Sequence, residues 1–158
     1  MKKRIIGIAG IGIGIVAGGL VSICFKNKSD ALMSGKIEKF KGYYNMLNQW
    51  LMLKQEGKSL EKYFEDNGYK NIAIYGMGEI GNRLYNELKD SKKVKIKYVI
   101  DKNADVCSET RIFNIDDNLP DVDVVIVTAT FAFDEIKEEL GKRLYVPVIS
   151  INDVIYSI

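Results

Sequence analysis

Hydrophobic and polar residues divide the chain into segments of different character, and the first is a run without charge. From Ile5 to Phe25 almost every residue is apolar or glycine, after a basic start at residues 1–4. As a helix rising about 1.5 Å per residue, this run matches the roughly 30 Å hydrocarbon core of a bilayer. We predict one transmembrane helix. A cleaved signal peptide, or a lipoprotein processed at Cys24, is the alternative.

Three glycines, Gly10, Gly14 and Gly18, recur at intervals of four along this run. They predict one face on which a second helix can approach closely in lipid, so self-association or a membrane-protein partner is expected there. The alternative is that glycine is simply common in membrane helices. Lysines are more numerous after the run than before it, which favours a cytoplasmic C-terminal domain.

A polar linker, residues 26–35, leads into a helical connector, residues 36–70. Apolar residues spaced by three or four predict an amphipathic helix over residues 36–55, with a stripe at Ile37, Phe40, Tyr44, Leu47 and Leu51 that Tyr43, Met46, Trp50 and Leu53 widen. We expect this stripe to pack on the globular domain or on a partner helix. Ser59 predicts the start of a second helix, residues 60–67.

The remainder, residues 71–158, alternates short β-branched runs with helical patterns. Strands are predicted over residues 72–75, 94–100, 111–115, 122–128 and 146–149, and helices follow the first, fourth and fifth. This alternation is typical of an α/β fold. We predict a Rossmann-like parallel sheet of about five strands with flanking helices, in the order 3-2-1-4-5, with Pro147 in an edge strand.

The first predicted strand runs directly into Gly76-x-Gly78-x-x-Gly81 and a helix. This context makes the motif typical of nucleotide binding: one glycine allows the turn, one lets a pyrophosphate reach the backbone, and one lets the helix pack closely. Backbone N–H groups at the helix start would hold the anion. The predicted contact segment is the whole run Gly76, Met77, Gly78, Glu79, Ile80 and Gly81.

Two further strand ends complete the predicted site. Asp101 ends the second strand twenty residues after Gly81, where a carboxylate can bind a ribose 2′-hydroxyl. It favours NAD over NADP, and Lys102 beside it weakens that preference. Thr128 and Ala129 end the fourth strand at the same crevice. The alternative is that the glycines serve only the turn and Asp101 only ends a strand.

Composition excludes several other chemistries. The 158 residues carry a net charge of +2, so no strong basic field indicates nucleic acid. There is no histidine, which removes the commonest general base and metal ligand, and the two cysteines form no metal pattern. No catalytic residue and no metal site is predicted, and an enzyme with its full apparatus in this chain is disfavoured.

The segments I-Y-G-M-G-E-I-G, V-I-D-K-N and D-D-N-L-P-D-V-D-V-V-I-V-T-A carry a family resemblance. They resemble the Rossmann-type domain that precedes the catalytic domain in membrane-bound nucleotide-sugar dehydratases and epimerases of bacterial capsular polysaccharide synthesis. They are also similar to the nucleotide-binding lobe of bacterial sugar acetyltransferases. The resemblance covers residues 71–158 and implies nucleotide contacts at Gly76, Gly78, Gly81 and Asp101. It does not extend to dehydratase activity, since a catalytic domain is missing from this sequence.

Three functions are therefore considered. The first is a membrane-anchored nucleotide-binding module that regulates or assists cell-surface polysaccharide biosynthesis. The second is an NAD(P)-dependent nucleotide-sugar oxidoreductase or epimerase completed by a partner chain. The third is a ligand-sensing regulator of a membrane transporter, similar to RCK domains. The expected ligand is NAD or NADP, with a nucleotide sugar or coenzyme A as alternatives.

Overall fold

The structure is a computed structural model that describes residues 33–101 and 110–158. The chain divides into two units between Tyr44 and Asn45. In the first unit the described residues, 33–44, are helical, and the second unit contains the α/β domain. No helix in the described ranges has the length and apolar character needed to cross a bilayer. The predicted transmembrane segment, with Gly10, Gly14 and Gly18, lies outside these ranges, as does Lys102.

Five parallel strands form one sheet in the order β3-β2-β1-β4-β5, which confirms the predicted fold class and strand order. They are β1 (Asn71–Tyr75), β2 (Lys95–Ile100), β3 (Ile112–Phe113), β4 (Val124–Val127) and β5 (Val148–Ser150). β1 and β4 are spatial neighbours although two strands separate them in sequence. The sheet therefore changes its winding direction between β1 and β4, and ligands of such folds bind at that point.

β2 and β4 are shorter than predicted because some apolar residues pack in the core beyond the hydrogen-bonded ladder. Val94 and Val122 are buried but lie just outside β2 and β4. β5 lies at an edge of the sheet as predicted, and Pro147 directly precedes it. Proline has no N–H to donate, so at a position before the strand it removes no hydrogen bond of the sheet.

Both faces of the sheet are covered, which explains why β1 and β4 consist of consecutive apolar residues. On one face Ala73, Val125 and Val127 pack with Ile136 and Leu140 of a helix. Side chains alternate between faces along a strand, and the intervening residues of β1 and β4 are buried as well. The core therefore lies on both sides of the central strand pair.

Five helices surround the sheet in the described ranges. They are α1 (residues 33–55), α2 (Leu60–Asp66), α3 (Glu79–Leu88), α4 (Phe133–Gly141) and α5 (Ile151–Tyr156), with a 3-10 turn at Thr130–Ala132. Ser59 and Ser150 cap α2 and α5, each accepting a backbone N–H at 3.2 Å. Gly57 and Gly68 follow α1 and α2 with φ of +72° and +74°, a conformation that favours glycine.

The domain buries residues that widen the predicted stripe of α1, whereas most of the stripe's central residues are exposed. Met46, Trp50 and Leu53 are buried, whereas Ile37, Phe40, Tyr44 and Leu51 are exposed. Trp50 Nε1 donates a hydrogen bond to Glu87 Oε2 at 2.7 Å, which orients the buried face toward α3. Both faces of α1 are apolar, so spacing alone could not tell which one the domain covers. Packing of the stripe on a partner helix stays a prediction.

Candidate functional site

The glycine motif forms the turn between β1 and α3, beside the end of β4. Gly76 has φ of +91°, which a side chain would strain, and its N–H donates to the Ile100 carbonyl at 2.8 Å. A Cβ at this position would also lie 2.9 Å from Thr128 Oγ1. Gly76 is therefore required by the backbone conformation and by the neighbouring strand.

Gly81 brings the first turn of α3 against the glycine turn. A Cβ there would lie 2.0 Å from the carbonyl oxygen of Gly76, far inside van der Waals contact. Because that oxygen belongs to the backbone, no side-chain rotation could relieve the clash. Gly81 therefore serves helix packing, which is the role that its place in the motif predicts.

Gly78 differs from both other glycines. No atom lies within 4 Å of the position that a Cβ would take, and its φ of −65° is open to any residue. It is the N-cap of α3, and no side chain caps this helix start. The fold therefore does not require glycine at this position, which leaves the approach of another molecule to the backbone as a physical reason for it.

Asp101 lies beside the glycine turn, as its spacing predicts. Its Oδ2 accepts the N–H of Met77 at 2.5 Å, and its own N–H donates to the Phe113 carbonyl at 3.1 Å. The carboxylate thus joins the end of β2 to the turn. A carboxylate has lone pairs for several hydrogen bonds, so this contact is compatible with a ribose hydroxyl at the same group.

Thr128 reaches the turn from the end of β4, but its hydroxyl bonds the protein itself. Oγ1 lies 2.8 Å from the Gly76 carbonyl and 3.1 Å from the Tyr75 carbonyl, and the residue is only 4% exposed. Thr128 therefore braces the turn. Ala129 is half-buried, and its carbonyl accepts the Ala132 N–H at 3.0 Å at the start of the 3-10 turn.

Asn82 is a residue of the site that sequence reasoning missed. Its Nδ2 donates to the Met77 carbonyl at 2.8 Å and to the Gly78 carbonyl at 3.1 Å. The signal available was an amide side chain one helical turn after Gly78, within reach of the carbonyls at the start of the helix. Asn82, Thr128 and Asp101 together hold the turn from three elements.

The remaining motif residues divide by exposure. Met77 and Ile80 are buried, so only their backbone can face a ligand, whereas Glu79 is exposed in the first turn of α3. A carboxylate there suits the helix dipole.

Two carboxylates act on Tyr75 at the end of β1. Burial, together with the charges of Glu139 and Asp101, raises the pKa of Tyr75 above its ordinary value. Both carboxylates disfavour a further negative charge nearby, so an anion here would depend on backbone N–H groups and the α3 dipole. No group of acidic or cysteine residues in the described ranges is arranged to hold a metal ion.

Two cavities lie away from the glycine turn. One, of about 450 Å³, is lined by Tyr85, Thr110 and lysines between Lys89 and Lys95. The other, of about 470 Å³, lies between α1 and α3 beside Trp50, Leu51 and Arg83. Neither includes a residue of the motif.

Comparison with known proteins does not assign the chain to a family. No protein-family model, no curated protein and no solved structure matches it. The contrast among the three glycines, together with the groups that hold their turn, therefore identifies the candidate site.

Proposed function

We propose that the crevice between β1 and β4 binds the diphosphate of a nucleotide or dinucleotide, with NAD as the leading ligand. One observation carries the proposal: Gly78 is open and exposed, whereas Gly76 and Gly81 are required by the fold. A pyrophosphate that contacts the backbone accounts for a glycine at that position. The uncapped start of α3 supplies N–H groups of the kind that bind phosphate.

Two further residues support a nucleoside beside the diphosphate. Asp101 lies at the end of β2, where its carboxylate can accept hydrogen bonds from a ribose and repels a 2′-phosphate. Phe131, on the 3-10 turn that follows β4, is 59% exposed, and we propose it as the stacking partner of the base. Nicotinamide cofactor, nucleotide sugar and coenzyme A share the nucleoside diphosphate.

In this proposal the chain is a regulatory or accessory protein of cell-surface polysaccharide biosynthesis. The predicted span Ile5–Phe25 would anchor it in the bilayer with the α/β domain in the cytoplasm, where nucleotide cofactors are abundant. Support comes from the sequence resemblance, from the open Gly78 at the uncapped start of α3, and from a sequence without histidine. Ligand binding, rather than turnover, is then the event that its partners read.

Calorimetric titration of the full chain in detergent micelles tests the ligand. The panel is NAD, NADP, a uridine-diphosphate sugar and coenzyme A. We expect NAD to bind and Gly78→Val to weaken it at least about tenfold, because the valine methyls occupy the space of the approaching phosphate. Gly141→Val is the matched control, since Gly141 is also open but lies at the end of α4.

The variants also separate the ligand classes. Asp101→Asn keeps an acceptor for the Met77 N–H but removes the charge that repels a 2′-phosphate. The affinity for NADP should therefore rise relative to the affinity for NAD. Trp50 is the only tryptophan, and its fluorescence shows that each variant is folded. Failure of a folded chain to bind any of the four ligands would reject the proposal, as would equal binding by the Gly78 and Gly141 variants.

A further inference from the structure

α1 carries two apolar stripes, and the domain covers only one of them. Met46, Trp50 and Leu53 form the buried stripe. At about 100° per residue, the second stripe is centred about 130° around the helix axis from the first. On this second stripe Phe40 is 72% exposed and Tyr44 is 69% exposed.

The exposed stripe follows a strict alternation of four and three residues. Its members are Met33, Ile37, Phe40, Tyr44, Leu47 and Leu51. These are the a and d positions of a heptad repeat, with a at 37, 44 and 51 and d at 33, 40 and 47. All except the half-buried Leu47 are large exposed hydrophobic residues. A mean spacing of 3.5 residues is the signature of a coiled-coil seam, because it keeps one stripe facing a supercoiled partner.

We infer that this stripe, the α1 seam, binds the α1 seam of a second copy of the chain as a parallel two-stranded coiled coil. In that arrangement each a residue packs beside its own counterpart and each d residue likewise, so one sequence satisfies both sides. No residue of the seam belongs to the glycine motif or to the strand ends of the proposed nucleotide site.

The size of the seam suits a specific pair. Burial of roughly 100 Å² on each of six large side chains removes about 1,200 Å² from water in the pair, near the lower bound of specific interfaces. The same side chains are a costly exposed patch on a single chain.

The apolar repeat ends in the last turn of α1, where a charged residue takes the next position. Lys54 takes the next d position and forms an ion pair with Glu87 of α3 within the same chain. Gly57 then ends the helix with its positive φ. The apolar repeat therefore ends at Leu51, because the next core position is occupied by a lysine that binds the domain.

The parallel orientation follows from the sequence that precedes α1. Two chains inserted in one bilayer through the predicted span Ile5–Phe25 must bring their following helices together with the same direction. The span itself is a poor partner for the seam, because its glycines at positions 10, 14 and 18 supply no matching heptad of large side chains.

Disulfide trapping tests the register directly. In a full chain with Cys24 and Cys107 replaced by serine, Tyr44→Cys should form a covalent dimer under mild oxidation in detergent micelles. The control is Met52→Cys, which is exposed at a b position off the seam and should stay monomeric. Equal trapping at both positions, or none at Tyr44→Cys, would overturn the inference.

A charge change distinguishes the second copy from a lipid surface. In a parallel pair Lys36 at g faces Lys41 at e of the partner, and the two repel. Lys41→Glu should therefore strengthen dimerisation several-fold by light scattering or ultracentrifugation, whereas Lys39→Glu at c should change it little. Added salt should strengthen the native pair by screening the repulsion.

An amphipathic helix on an anionic bilayer would show the reverse pattern. Lys41→Glu and Lys39→Glu would then both weaken binding to phosphatidylserine vesicles, and the chain would stay monomeric in micelles. Phe40→Glu should dissociate the proposed dimer while Trp50 fluorescence stays native, because Phe40 is exposed in the single chain. A monomeric native chain, or a dimer that Phe40→Glu does not weaken, would refute the inference.

Discussion

The two ends of α3 use polar groups in opposite ways. At its C-terminal end the Glu87 side chain is only 7% exposed, and donors from α1 and α2 saturate it. Its carboxylate accepts Trp50 Nε1 at 2.7 Å, the Leu60 N–H at 2.9 Å and Ser59 Oγ at 3.3 Å, and it pairs with Lys54. At its N-terminal end Gly78 is open and no side chain caps the helix.

The two ends show how polar groups that stabilise the fold can be distinguished, within one helix, from polar groups that can bind a ligand. A buried carboxylate with its partners supplied by the chain stabilises the fold and has little capacity left for a ligand. A helix start that no side chain caps, with a glycine that the fold does not require, offers that capacity. Four changes test this contrast.

The largest effect is expected from Glu87→Ala. It removes the acceptor of two donors that packing holds in place, Trp50 Nε1 and the Leu60 N–H, so the free energy of unfolding should fall by about 3 kcal/mol. Urea unfolding followed by Trp50 fluorescence measures it. Glu138→Ala removes an exposed ion pair with Lys142 and should cost less than about 0.5 kcal/mol. Similar losses in both variants would contradict a structural role for Glu87.

Gly81→Ala should come next. The added methyl group would meet the Gly76 carbonyl oxygen, so α3 must move away from the turn, at a cost of about 2 kcal/mol in the free energy of unfolding. Gly78→Ala should cost far less, since nothing lies near its Cβ position. The pair is measured by the same urea titration. If Gly78→Ala proves as destabilising as Gly81→Ala, the assignment of an open and a structural glycine fails.

Tyr98 is a buried polar group without the partners that Glu87 has. Its hydroxyl is unpaired among the described residues, and burial, with a smaller effect of the Asp121 charge, raises its pKa to about 12. We expect Tyr98→Phe to stabilise the protein by about 1 kcal/mol at neutral pH. Burial of the hydroxyl costs desolvation free energy, and no hydrogen bond to a described residue offsets it.

The pH dependence of Tyr98 has a definite sign. An unfolded tyrosine loses its proton near a pKa of about 10, whereas the folded one keeps it to about 12, so unfolding is favoured as pH rises through this window. The native chain should lose about 2 kcal/mol there relative to Tyr98→Phe. Thermal unfolding of both proteins between those pH values measures the difference. Parallel curves would show that the Tyr98 pKa is not raised.

The smallest effect is expected from Thr128→Val, which keeps the shape of the side chain but removes its hydroxyl. The Gly76 carbonyl loses a partner at 2.8 Å, which should cost about 1 kcal/mol and loosen the turn. Nucleotide affinity should fall with it. Thr128→Ser retains the hydroxyl and should recover the affinity, and failure to recover it would indicate that the methyl group matters instead.

Much of the domain could be predicted from the sequence because its signals are local. Consecutive β-branched residues indicate a buried parallel strand wherever they occur, and right-handed crossovers leave few strand orders. The three glycines and Asp101 were placed by spacing alone, since a turn, a helix start and a strand end follow one another closely in the chain. Ser59 and Ser150 likewise act on N–H groups two residues away.

Other features depend on contacts between distant segments of the chain, and only the tertiary structure shows these contacts. Glu87 meets residues of α1 and α2 that lie 27 to 37 positions earlier, and Thr128 reaches Gly76 across 52 positions. No local sequence pattern predicts such contacts. A polar residue looks the same in the sequence whether its side chain will face water, a ligand or a buried partner. For the same reason only packing showed which stripe of α1 the domain covers, and so which stripe remains available to another molecule.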